Sequence, residues 1–171
     1  MKNLLKVAAV ALCMVFMGSF AKAQTTKIGY IAMDQIIPLL PEYKTAQAVV
    51  NTFQQNFIDQ IQKLSLEYQN KAKDYEAKRA TMNEAVRAAT ESDLNDLQKR
   101  AQDLNTKATQ DVAAKGDEQM QPLLLKVKTA VSAVAKEKGY TYVFNTSSTD
   151  LLVAPDADNL LAAVKLKLGV K

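Results

Sequence analysis

Between Pro41 and Gly116 the chain contains neither glycine nor proline. A compact domain punctuates so long a stretch with turns. Here it is filled with Ala, Gln, Lys, Glu and Leu, all good helix formers. Long helices are the structures such a stretch can adopt, and the open question is whether they form one rod or a folded pair. The apolar spacing answers it. Ile61, Leu64, Tyr68, Tyr75 and Met82 fit heptad a and d positions, and so do Leu94, Leu97, Ala101, Leu104 and Ala108. The two registers do not join: continuing from Met82 reaches Ala89 and Asp96, whereas the second seam runs through Leu94 and Leu97.

The segment Ala88-Ala89-Thr90-Glu91-Ser92-Asp93 lies in the gap, and Thr90 or Ser92 can cap a new helix there. The sequence therefore predicts an antiparallel hairpin over residues 42–138 that turns between about Ala80 and Ser92. Each arm, at about 40 residues, would be about 60 Å long. Folding near Val86 sets Tyr68 opposite Leu104, Tyr75 opposite Leu97, and Ile61 near Ala108 and Val112. Acid-to-base spacings at i,i+4 (Asp59–Lys63, Glu67–Lys71, Asp74–Lys78, Asp96–Arg100, Asp103–Lys107, Asp111–Lys115) mark solvated faces.

The ends of the chain have a different character. Lys27 to Met33 is short and β-rich, Asp34 can cap the segment after it, and Pro41 suits the first turn of a helix. Leu123, Leu124, Val127, Val131 and Val134 form a stronger apolar stripe than anything in the arms. Pro122 should kink that helix or mark its restart, and Lys136, Lys138 and Gly139 should stop it. Tyr140 to Asn145 and Leu151 to Ala154 then look like two strands of a hairpin. Pro155-Asp156 opens a last helix with Leu160, Leu161, Val164 and Leu168 on one face.

The expected fold is α+β and mostly α: a coiled-coil-like helical hairpin on a small β base built from residues 24–41 and 139–171. Three short strands cannot bury both faces of a sheet, and their open edges invite pairing. The base should therefore self-associate, with Ile28, Tyr30, Ile31, Tyr142, Val143, Phe144 and Leu152 as the candidate contacts.

The first residues address the chain for export. Lys2 and Lys6 precede an apolar run from Val7 to Phe20, and Ala21-Lys22-Ala23 has the small-x-small pattern of a cleavage site. The run is short for a bilayer span, so residues 1–23 read as a cleaved signal peptide and Gln24 as the mature N-terminus. Cys13, the one cysteine, would leave with it. So would three of the 22 basic residues, leaving 19 against 18 acidic ones and a net charge of +1. That balance removes the electrostatic case for nucleic acid as a partner. With no His and no mature Cys, the usual general bases, thiol nucleophiles and metal ligands are missing, so no enzyme, metal or cofactor is expected. The polar group Ser147, Ser148, Thr149, Asp156 and Asp158 fits turn and cap duty. The last helix carries Lys165, Lys167 and Lys171, but its apolar face should pack on the base and not enter a membrane.

Lys27-Ile28-Gly29-Tyr30-Ile31-Ala32-Met33-Asp34 resembles the opening strand and cap of the Skp/OmpH family. Gln121-Pro122-Leu123, Val131-Ser132-Ala133-Val134-Ala135 and Gly139-Tyr140-Thr141-Tyr142-Val143-Phe144-Asn145 resemble its returning helix and second strand, and Leu151-Leu152-Val153-Ala154 its third. The resemblance implies a periplasmic homotrimer whose strands close a small barrel and whose arms hold unfolded outer-membrane proteins without ATP. The near-neutral mature charge departs from the strongly basic members of that family, so no lipopolysaccharide-binding residues are carried over. Phe53, Phe57 and Ile58 are candidate client-facing residues, because both faces of that turn are apolar; packing on the base is the competing expectation. A non-catalytic coiled-coil scaffold of the cell envelope is the alternative function.

Lys71 and Lys78 on one arm, and Asp111 and Lys115 on the other, fall on seam positions and thin the core. The arms should consequently bend and splay. Hydrogen exchange checks this: fast-exchanging amides are expected along them, and uniformly high protection would refute it.

Overall fold

The computed structural model describes residues 26–171, so the leader segment and Cys13 lie outside the described residues. Strand β1 (Ile28–Ile31) is followed by two single 3-10 turns, Met33–Gln35 and Ile37–Leu39. Helix α1 then runs from Pro41 to Lys78, and after a tight turn helix α2 runs from Glu84 to Lys138. Strand β2 (Tyr142–Asn145), a 3-10 turn at Asp156–Asp158 and helix α3 (Leu161–Leu168) complete the chain. The 38 residues of α1 make it about 57 Å long at the standard helical rise. The architecture is the expected one, a long antiparallel helical hairpin on a small β base.

Local chemistry explains where the helices begin and end. Pro41 occupies the first turn of α1, where its missing N–H costs no hydrogen bond. Gly139 ends α2 at φ 72°, a left-handed conformation that glycine adopts without strain. The turn comes at the start of the expected window: Arg79–Thr81 forms a 3-10 turn and Met82 is extended. Asn83, not Thr90 or Ser92, caps α2, its side chain accepting from the Val86 N–H at 2.9 Å. Thr90 lies inside the helix and donates to the Val86 carbonyl instead. Pro122 does not mark a restart, because α2 continues through it as one element.

The core sits at the base. Ile31, Ile36 and Leu40 from the first segment meet Leu123, Val127 and Val134 of α2. Leu160 and Val164 close the cluster from the last segment, and all eight side chains are buried. Burying an aliphatic side chain of this size contributes about 1.5–3 kcal/mol, so the base is where the fold is held.

β1 and β2 pair in parallel, Ile28 with Tyr142 through Ile31 with Asn145. A parallel pair needs a long crossover between its strands, and here that crossover is the whole helical hairpin. The expected hairpin of Tyr140–Asn145 with Leu151–Ala154 does not form. Asn159 bridges to Tyr30 in parallel, and Leu160 N–H donates to the Tyr30 carbonyl at 2.9 Å. To arrive there, the chain from Leu151 to Pro155 must come back over the β1 side, beside Ile28, Gly29 and Tyr30. Leu151–Ala154 is therefore irregular, and Leu152 belongs to no strand.

Asp34 does not cap a helix. It accepts from the Ser147 hydroxyl at 2.6 Å, while Asn145 Oδ1 accepts from the Met33 and Ser147 N–H groups, tying the ends of the two strands together. Asp158 accepts from the Tyr140 hydroxyl at 3.0 Å, and the Tyr140 ring packs against Gly29.

Two glycines test this packing with opposite signs. A Cβ at Gly29 would lie 3.0 Å from the Tyr140 ring and 3.2 Å from the Asp158 carbonyl, so Gly29→Ala should destabilise by about 1–3 kcal/mol. Gly116 is helical, and a Cβ there meets nothing within 4 Å. Gly116→Ala should stabilise by about 0.5–1 kcal/mol. Chemical denaturation of the two variants reads both.

Candidate interaction surfaces

Two surfaces stand out, one on the base and one along the arms. In the two-stranded sheet, side chains alternate between faces, and the register sets Ile28 beside Tyr142 and Tyr30 beside Phe144. Those four share the outward face, where Ile28 is 49%, Tyr142 59% and Phe144 44% exposed. Ile31 and Val143 point the other way: Ile31 is fully buried in the base core and Val143 packs against it. Leu152 and Val153, at 95% and 91%, stand almost free beside this face. Leu151, Val153 and Ala154 line an open hollow of about 660 Å³ with Ile28, Gly29 and Tyr30. Of the seven candidate contacts at the base, four are thus gathered on one apolar face and one stands nearby on an irregular segment.

Along the arms, half-buried positions on α1 recur at Val50, Phe53, Phe57, Ile61 and Leu64, three and four residues apart. This stripe faces α2. Phe53 and Phe57 stack edge to face within it, with ring centroids 5.3 Å apart. Neither joins the base core, and neither points freely into solvent. Ile58, one residue on, is exposed. The three candidate client-facing residues are therefore divided between the seam and the outer surface.

The seam register differs from the expected one, the α2 partners of α1 lying nearer the turn than expected. Tyr68 lines the same hollow as Leu97 and Ala101, so its neighbours on α2 lie nearer the turn than Leu104. Leu104 shares a hollow with Leu64 instead. Tyr75 lies still nearer the turn, and its hydroxyl donates to Glu91. Lys71 does not dilute the seam, since it pairs across it with Asp93. Of the six i,i+4 spacings, Asp74–Lys78 forms an ion pair at 4.0 Å, and Asp111 pairs backwards with Lys107.

At the tip the two arms are well tied. Tyr75 and Leu97 are the buried side chains of this half of the hairpin. Arg87 donates to the carbonyls of Arg79 and Met82 at 3.3 and 3.4 Å, satisfying groups at the end of α1, although its Nε is buried without a partner. The hydrogen bond from Tyr75 to the Glu91 carboxylate favours the protonated phenol, and burial adds to it, so the Tyr75 pKa is raised. At the base end, Lys126 holds Glu42 and lowers its carboxyl pKa.

Among the described residues no helix is long and apolar enough to cross a membrane, and no cluster of potential metal ligands occurs. A family model, Outer membrane protein (OmpH-like), matches residues 27–168. The chain belongs to the OmpH-like family. The match begins at β1 and ends at the last residue of α3, so it takes in both surfaces. Among solved structures, a Caulobacter crescentus CB15 protein provisionally assigned as an outer membrane chaperone (OmpH-like) has the same fold. The TM-score is 0.69 at 15% identity, covering 84% of this chain and 83% of that one. A comparison with curated proteins finds no match.

The Tyr75 shift gives a pH test. A group whose folded pKa is raised contributes stability that is complete below its unfolded value, here 10.0, and lost as pH rises through the folded value. The arm tip should loosen in alkali above about pH 10. Tyr75→Phe should remove that alkaline step, as followed by helical circular dichroism between about pH 8 and pH 12.

Proposed function

We propose that this protein is an exported, ATP-independent holdase that keeps unfolded outer-membrane proteins from aggregating in the periplasm. The observation that carries this reading is the arm: a long hairpin whose apolar stripe is half-covered along most of its length. OmpH-like family membership and the apolar run at the N-terminus support it. Unfolded strands of barrel proteins are adhesive because their backbone and apolar faces are unpaired. A holder of such chains needs many weak contacts, and half-exposed aliphatic and aromatic groups among charges supply them without a fixed sequence preference. The near-neutral mature charge makes apolar surface, more than electrostatics, the basis of capture.

The base would assemble the arms. The outward sheet face of Ile28, Tyr30, Tyr142 and Phe144 is apolar, and the free segment Leu151–Val153 lies beside it. A second and third copy burying these surfaces would form the homotrimer implied by the family. Arms projecting from a common base would then enclose a client.

Two measurements test the proposal. Aggregation of a denatured outer-membrane barrel protein should be suppressed at stoichiometric ratios without nucleotide; no suppression at any ratio would sink the holdase reading. A scaffold would instead retain one folded partner and leave the denatured barrel protein untouched. Solution mass should be that of a trimer, and Phe144→Asp combined with Tyr142→Asp should shift it to a monomer while leaving helical content intact. Those two side chains face away from the base core, so a loss of helix would instead mean that the face serves folding.

A further inference from the structure

The two arms of the hairpin are not held evenly along their length. At the base, Leu40 and Ala46 of the first segment and α1 are buried with Leu123 and Val127. At the tip, Tyr75 and Leu97 are buried, Tyr75 donates to Glu91, Lys71 pairs with Asp93, and Arg87 ties the end of α1 to the start of α2. Between these two anchorages lie residues 50–68 of α1 and 98–115 of α2, and none of their side chains is buried. Val50, Phe53, Phe57, Ile61 and Leu64 on α1, and Ala101, Leu104, Ala108 and Val112 on α2, are all only half-buried, and Tyr68 is more open still.

Open hollows run along the same stretch. One of about 380 Å³ lies beside Phe53 and Lys115, one of about 480 Å³ beside Leu64 and Leu104, and one of about 290 Å³ beside Tyr68 and Ala101. Lys63, Glu67, Arg100 and Asp103 line the second, yet no ion pair joins any of them across it. Side chains with no atoms packed on one flank forfeit much of their dispersion energy, and regions with few buried apolar contacts open at the lowest free energy.

We infer that the hairpin opens from its middle, the arms parting between residues 50–68 and 98–115 while the base and the tip stay closed. A helical pair joined by a turn ordinarily loosens furthest from its core. Here the turn end carries its own clamp, so the span between the two anchorages is a slot and not a frayed end. The surfaces that part in the slot are apolar: the Phe53–Phe57 pair and the aliphatic side chains that half-cover it. This deepens the holdase reading, because an opened slot uncovers the surface that reading requires; the opening itself is measured without a client.

The test uses spin-label pairs on exposed, opposed positions in a chain with no other cysteine after position 13. Gln62→Cys with Gln102→Cys reports the middle, and Ala77→Cys with Ala88→Cys reports the tip; all four residues are exposed. The middle pair should give a wide distance distribution with a long-distance shoulder, and the tip pair a single narrow one. A tip distribution as wide as the middle one, or wider, would overturn the inference. Tyr75→Ala should broaden the tip pair and leave the middle pair unchanged; a tip that stays narrow without Tyr75 would overturn the clamp assignment. Failure of aggregation suppression with the expected distances would count against the holdase reading and not against the opening.

Discussion

Everything in this molecule depends on the parallel pairing of β1 with β2. Four residues on each strand are joined edge to edge, although the whole helical hairpin lies between them in sequence. Parallel strands cannot be linked by a tight turn, so the hairpin is the crossover that this pairing requires. The pairing also places the start of α1 and the end of α2 against one another, where Leu40, Val127 and Val134 bury them with Leu160 and Val164. Without that base, two helices with so little buried surface would have little reason to stay together.

Most of the architecture is legible from breakers and spacing. The run from Pro41 to Gly116 requires long helices, the stripe at Leu123, Val127 and Val134 becomes the core, and Gly139 stops α2 with its left-handed backbone. The features that escape notice do so for physical reasons. A seam repeats its apolar positions every three or four residues, so sliding one arm from one seam position to the next leaves apolar faces in contact, and spacing cannot distinguish Leu64 beside Leu104 from Tyr68 beside Leu104. Counting Met82 as a seam residue pushes the turn too far along, whereas Met82 is extended and Asn83 caps the next helix. Asn83 lacks the Glu or Gln three residues later that makes a cap conspicuous, since Val86 stands there.

The base shows the limit of reading strands from composition. Leu151–Ala154 has strand-like residues, but β propensity reports how well side chains pack on neighbours, and this segment has no ladder to join within its own chain. The neighbour nearest in sequence, β2, pairs instead with the first strand of the chain. At the candidate surfaces, alternation sorts the base residues correctly once the register is known: Ile28, Tyr30, Tyr142 and Phe144 outward, Ile31 and Val143 inward. For the arms, a single turn with apolar residues on both faces offers no means of telling Phe53 and Phe57 from Ile58.

The crossover topology has a consequence for how such a molecule can vary. The base core takes the hairpin at its two roots, and between those roots and the tip the half-buried seam positions recur three and four residues apart. Removing or adding a whole repeat on α1, matched by one on α2, would leave β1, β2 and the core of Leu40, Val127 and Leu160 as they are. Reach is thereby separated from stability. Arm length is the quantity to which the rest of the fold is least sensitive.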